Sequence, residues 1–299
     1  MANRQFRTVL EGGSFFEGPR WHEGEWWVSD FYRRTVSRVT ADGSESVVLE
    51  VEHQPSGLGW LPDGSLVVSS MKDRRLLRVA DGSVSELADL TEHCGGHLND
   101  LVVDAHGHVF VGDLAFDLMG GAAPAPTSLK RVDPDGTVTV VAEGMRTPNG
   151  SAITPDGGTL LVGETLGNRV TAFDLAADGS LSNRRVWAEF GPEPTGATIG
   201  EVIVALDVAP DGCTLDAEGH LWVADGKNGR VVRVAEGGTI VEEIAAPEGL
   251  GTFACQLGGD DGRTLLICCA PDFFEHARAP VREGVLLATE VEVPHAGLP

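Results

Sequence analysis

The chain has 299 residues, 42% of them hydrophobic and only 6% aromatic, with 39 glycines, 16 prolines and a formal charge of −23. Roughly three quarters of the unfolded surface of a chain this long can be buried, so a large core is available. Its 45 acidic against 22 basic residues exclude the basic footprint on which nucleic-acid binding rests, and an anionic membrane surface would repel it.

From the N-terminus, Met1 to Gly18 holds Arg4 and Arg7 but no apolar core of a secretory leader. No later run reaches the ~18 apolar residues that a membrane span needs. A phrase then begins that returns six times: a turn containing Asp or Gly, followed by four to six apolar or β-branched residues. It reads WHEGEWWVSD from Trp21, WLPDGSLVVSS from Trp60, VDAHGHVFVGD from Val103, ITPDGGTLLVGE from Ile153, LDAEGHLWVAD from Leu215 and GGDDGRTLLICCA from Gly258. The turn glycines are Gly24, Gly64, Gly107, Gly157, Gly219 and Gly262, spaced 40, 43, 50, 62 and 43 residues apart. Most copies are followed by an alternating strand that runs into a second Gly turn, as in TVSRVTADG from Thr35 and LKRVDPDG from Leu129. Period-two alternation marks half-buried strands, and Asp-Gly is hairpin punctuation. Helical periodicity nowhere exceeds two turns. Such copies fit four-stranded blades around a channel, which predicts an all-β, six-bladed β-propeller over residues 1–299 as a single domain. Arg7 to Leu10 are expected to pair within the blade built from Gly258 to Val293, tying the two ends of the chain together.

Two intervals are longer than the repeat requires. Gly112 to Lys130 is rich in Ala, Pro and Gly and includes Phe116, Leu118 and Met119; Asn183 to Pro210 carries Pro192 and Pro194. Long loops on a rigid scaffold form walls or lids of sites as often as plain surface insertions. The five cysteines, Cys94, Cys213, Cys255, Cys268 and Cys269, have no metal-type pair spacing and are odd in number, which predicts a reduced, cytoplasmic chain.

A propeller hosts many functions, so function has to come from a site. Four segments place carboxylates or amides beside strand starts: EGPRW from Glu17, HLND from His97, TPNG from Thr147 and APDG from Ala209. Singly, each has a plain alternative. Asn149 precedes Gly150, and Asn-Gly is first a turn signal. Asp211 lies in a Pro-Asp-Gly tripeptide that also contains Asp63, Asp135 and Asp156 at other copies, and local sequence does not separate the four. Glu17 could be a solvated loop acid, Asn99 and Asp100 caps of a strand turn, and His97 a structural hydrogen-bonding histidine.

Taken as a set, in order and spacing, these segments resemble the family of gluconolactonase, regucalcin (senescence marker protein) and luciferin-regenerating enzyme. The resemblance spans nearly the whole chain and includes PDGCTLDAEGHLWVA from Pro210 and VTAFDLAADGSLSNRRVW from Val170. It implies a six-bladed propeller with one divalent cation at the channel mouth, held by Glu17, Asn149 and Asp211. It further implies Asn99 as a contact to substrate or metal, His97 as a substrate contact, Asp117 near a substrate-contacting acid, and Asp211 or Asp100 as the acid that holds and deprotonates water. Carboxylate and amide oxygens are hard ligands, which puts Ca²⁺ first, with Mg²⁺, Mn²⁺ or Zn²⁺ as alternatives. The implied reaction is lactone hydrolysis: a carbonyl polarised by the cation is attacked by a water whose proton goes to an Asp. No Gly-x-Ser-x-Gly elbow is present. Where many sugar-lactone hydrolases of the family carry Arg two residues before the substrate Asn, this chain has His97. That loss of a donor fork predicts a less polar lactone or ester as the small-molecule partner. The competing readings are a phosphotriester hydrolase, which would use a histidine such as His22, His53, His93 or His97, and a non-catalytic calcium-binding or docking propeller.

Overall fold

Twenty-four strands make six four-stranded antiparallel sheets in a computed structural model that describes residues 4–118 and 120–297. Met119 lies outside the described residues. Each sheet is a meander, as in blade 1, where Phe16–His22, Glu25–Asp30, Thr35–Val39 and Glu45–Glu50 pair in chain order. The first strands of successive blades touch one another around the ring: Phe16–His22, Pro55–Trp60, Leu98–Val103, Pro148–Ile153, Pro210–Leu215 and Gly251–Gly258. They are therefore the inner strands that line the channel, and the chain is a six-bladed β-propeller.

All six glycines of the repeated turn have left-handed backbone, with φ from 70° at Gly157 to 87° at Gly107. Glycine adopts this region freely, which is why it marks the period so reliably. Between blades the sheets bury aliphatic faces, as where Val67 and Leu76 of blade 2 meet Leu98, Leu101, Val109 and Val111 of blade 3. Packing by Val and Leu explains how the ring manages with so few aromatics. All five cysteines are free and buried in this interior.

Blade 6 holds Gly251–Gly258, Thr264–Ala270 and Gly284–Glu290, and its fourth strand is Arg7–Gly13 from the other end of the chain. Arg7 faces Ala288 and Leu10 faces Leu286, the pairing expected from the sequence. Two α-helices and one 3-10 turn, Thr91–His93, are present among the described residues. The longer, α1 (Ile199–Ala205), has a capping box in which Glu201 N–H donates to Thr198 and the Glu201 carboxylate accepts from the Thr198 N–H. The shorter is α2 (Glu275–Arg278). Neither crosses a membrane: among the described residues no helix is long and apolar enough.

Inner strands approach one another more closely than side chains permit. A Cβ on Gly150 would lie 2.3 Å from the Asp211 carbonyl oxygen, and one on Gly57 would lie 2.4 Å from the Leu101 nitrogen. Gly150→Ala should therefore push two inner strands apart and cost about 1–3 kcal/mol of stability. Urea denaturation tests this, and a wild-type midpoint would show that the channel wall yields freely.

Candidate active site at the channel mouth

Every inner strand carries a one-residue irregularity near its start. The pairing slips between Glu17 and Arg20, Pro55 and Leu58, Leu98 and Leu101, Pro148 and Ser151, Pro210 and Cys213, and Thr252 and Ala254. A bulge bends a strand and re-aims the side chains around it. The second residue of the inner strands is Glu17, Ser56, Asn99, Asn149, Asp211 and Thr252 in blades 1 to 6. Four of the seven residues picked from the sequence thus occupy one repeat position at one end of the channel.

The residue just before each of the first five inner strands also falls into a ring: Phe15, Gln54, His97, Thr147 and Ala209. Their carbonyls accept from the N–H groups of Phe31, Met71, Leu114, Thr165 and Gly226 at 2.8–3.0 Å, and all ten residues line one cavity with Glu17, Asn99, Asn149 and Asp211. The cavity has a volume of about 150 Å³. Two of these lining residues, Gln54 (φ 76°) and Thr147 (φ 56°), are left-handed immediately before a proline. That conformation is strained, and for β-branched Thr147 it is an outlier of the kind that collects at functional sites.

Buried acids hold these loops. Asp30 accepts from Ser14 and Phe15 N–H, Asp113 from Gly95 and Gly96, Glu164 from Arg146, and Asp225 from Ala209. Each ends the second strand of its blade and has a cation nearby: Arg33 at 3.9 Å, Lys130 at 2.7 Å, Arg169 at 2.9 Å and Arg230 at 2.9 Å. Sequence reasoning missed this anchor, although its signal was present as the acid that closes WVSD, VFVGD, LLVGE and LWVAD.

At the site itself, Asn149 Nδ2 donates to Asp211 Oδ1 at 2.5 Å and to Thr165 Oγ1 at 3.1 Å, and Thr165 Oγ1 donates to the Pro210 carbonyl. The amide is thereby fixed, and among the described residues nothing donates to its Oδ1. Glu17 is buried and accepts only the Gly18 N–H at 3.1 Å. Burial, then the charges of Asp211 and Asp100, push the Glu17 carboxyl well above its ordinary range. Burial and then Asp100 do the same to Asp211. Asp100 is placed differently. Its Oδ1 takes Arg20 Nη2 at 3.0 Å and the Leu101 N–H at 2.8 Å, and it does not line the cavity. Arg20, bound also to the Leu101 carbonyl at 2.7 Å, is thus committed to Asp100. Among the described residues, no basic side chain pairs with Glu17 or Asp211.

His97 lines the cavity, and burial, reinforced by Lys72, lowers its affinity for a proton. Asp117 does not line it: the residue is exposed and Oδ1 accepts the Gly120 N–H at 2.8 Å. The two long intervals meet above the site, where Phe116 and Leu118 pack with Ile199, Val202 and Leu206 of the second interval. The opposite side is aromatic, with Phe15, Phe31, Tyr32, Phe253 and Phe273. That aromatic side was not read from the sequence.

Among the described residues no three His, Cys, Asp or Glu side chains form a metal cluster. The set at the mouth is instead two carboxylates and an amide. It suits a hard divalent cation: the donors are oxygens, and the two acids repel each other with no basic side chain between them.

The family described as the SMP-30/Gluconolactonase/LRE-like region matches residues 15–271. Pentonolactonase XacC of Haloferax volcanii is 31% identical over 85% of this chain and 81% of its own length. A solved gluconolactonase from Xanthomonas campestris superposes with a TM-score of 0.73 at 26% identity, covering 98% of this chain and 91% of that one. A solved calcium-binding regucalcin from Agrobacterium tumefaciens shares the fold at a TM-score of 0.78 and 23% identity, covering 99% and 97%.

Proposed function

The chain belongs to the SMP-30/gluconolactonase/LRE-like family of lactone hydrolases, and on that premise we propose that it opens a lactone at the channel mouth with a divalent cation held by Glu17, Asn149 and Asp211. The observation that carries this is a pair of carboxylates beside a fixed amide, Glu17 buried and Asp211 partly open to the cavity, with no basic side chain paired to either among the described residues. When bound there, the cation would polarise the lactone carbonyl and offset the negative charge that grows on its oxygen.

The chain's own residues supply the rest. Asp211 is partly open to the cavity and takes a proton from water as the water oxygen adds to the carbonyl carbon. It returns the proton to the ring oxygen as the C–O bond breaks, which leaves a hydroxy acid. Asn99 Nδ2 is buried without a hydrogen-bond partner and is free to donate to substrate. His97, largely neutral, offers a ring nitrogen. Asp100 acts from behind through its charge and its hold on Arg20, and Asp117 through its charge near His97. The ring works as one domain, because its first and last strands share a blade.

The test is lactone hydrolysis by protein stripped with EDTA and then resupplied with Ca²⁺, Mg²⁺, Mn²⁺ or Zn²⁺. Turnover is expected to fall at least about tenfold on stripping and to return with a hard cation. Full turnover without metal would overturn the metal reading. Phosphotriester turnover with none on lactones would favour the alternative hydrolase.

A further inference from the structure

Resting on the lactone-hydrolase reading, we propose that the preferred substrate carries an aromatic ring, fused to or beside the lactone ring, and no polyol chain. One flank of the cavity is a continuous aromatic surface. Phe15 packs against Phe31 and Phe253 with ring centroids 5.2 and 4.7 Å apart, and Phe253 against Phe273 at 6.3 Å. Tilted aromatic pairs at these spacings are favourable, and one more flat ring can pack on them in the same way. The facing wall, with Phe116 and Leu118, is apolar as well.

Most of the polar side chains that could greet a polyol are already engaged within the protein. Lys227 is the only Lys or Arg among the lining residues, and its Nζ donates to the Val204 and Leu206 carbonyls at the end of α1. Glu275 is taken by Lys72 at 2.7 and 2.9 Å. The Tyr32 hydroxyl donates to the Phe273 carbonyl at 2.6 Å, and Gln54 Nε2 to Met71 Sδ at 3.3 Å. Beyond the cation set and His97, the side-chain atoms of these residues left without a partner among the described residues are the buried Asn99 Nδ2 and Thr147 Oγ1 and the amide oxygens of Gln54 and Asn99. The two donors can serve one carbonyl and one ring oxygen, and the two amide oxygens can accept from one or two hydroxyls. Further hydroxyls would be buried unpaired, which costs binding free energy for each. Anionic substituents would also meet Glu17, Asp211 and Glu275.

The experiment compares hydrolysis of dihydrocoumarin, γ-nonalactone and glucono-δ-lactone by the full chain with Ca²⁺. In parallel, calorimetry follows binding of two unreactive lactams, 3,4-dihydroquinolin-2-one and gluconolactam. The kcat/KM for dihydrocoumarin is expected to exceed that for gluconolactone at least about 100-fold. The aromatic lactam should bind at least about tenfold tighter than the sugar lactam. Phe273→Leu, at a half-buried position, should raise KM for dihydrocoumarin about two- to tenfold, and more than for γ-nonalactone. Preference for gluconolactone, or equal or tighter binding of its lactam, overturns the substrate class and leaves the hydrolase reading standing. Preference for γ-nonalactone, or an equal effect of Phe273→Leu on both, overturns the aromatic assignment. Tight binding of the aromatic lactam with no lactone hydrolysed supports the class and overturns the hydrolase reading instead.

Discussion

Asp211→Asn is expected to lower lactone kcat by about 10²- to 10⁴-fold, the range over which a positioned proton acceptor acts, while the ring stays folded. The substitution keeps the shape of the side chain and an oxygen to accept from Asn149 Nδ2, so the hydrogen bond at 2.5 Å has a successor. What it removes is a charge and the ability to take a proton. In EDTA the variant should melt no lower than the parent, because an acid crowded by Asp100 and by burial has been neutralised. With Ca²⁺ added, the parent should gain more thermal stability than the variant, since a ligand stabilises the state it binds. Kinetics and thermal melts with and without metal read all three effects. A kcat within about threefold of the parent would remove Asp211 from the chemistry, well short of the loss a general base implies.

The second large effect is on stability. Arg20→Leu should cost about 3–5 kcal/mol, the range for removing one partner of a buried ion pair. Both side chains are 6% exposed, and the lost guanidinium holds the Asp100 carboxylate and the Leu101 carbonyl. Asp100 would then be an uncompensated charge acting on Glu17 and Asp211. Arg20→Leu combined with Asp100→Asn should recover much of the loss, because the stranded charge goes with its partner. Urea denaturation of the two single variants and the double variant closes the cycle. No recovery in the double variant would mean that Arg20 matters through packing and the carbonyl contact alone.

The fold was legible because its signal is a backbone constraint. Left-handed turns at Gly24, Gly64, Gly107, Gly157, Gly219 and Gly262 recur whatever the neighbouring side chains do. The candidate site was legible as a set of segments and illegible as single residues, and Asp211 shows why. Asp63, Asp135 and Asp156 share its tripeptide, yet each accepts the backbone N–H two residues on, from Ser65, Thr137 or Gly158, in an exposed turn. Asp211 instead opens an inner strand, and its carboxyl is pushed up where theirs are lowered. The tripeptide is identical at the four places, and what separates them is the position within the blade. The aromatic flank escaped because it joins blade 1 to blade 6, residues far apart in the chain that meet only once the ring has closed. The pairing of Asp100 with Arg20 was hidden for the same reason. Met119 lies outside the described residues, but Phe116 and Leu118 of the same loop do face the cavity.

The strand that latches the ring is the first of the described strands in chain order and pairs with the last of them. Thr289 Oγ1 donates to the Gln5 carbonyl, 284 residues away along the chain. At ordinary ribosomal speeds of 5–20 residues per second, the N-terminal strand waits roughly 15–60 s before the one it pairs with has been synthesised. An unpaired strand is in general a template on which another chain can associate until its own partner arrives. Once the last blade emerges, the entropy of so long a closure grows only logarithmically with length, and the latch engages at little extra cost. Messages truncated before Gly284 would therefore yield an open ring with a sticky edge, and quality control during translation has a defined feature to find.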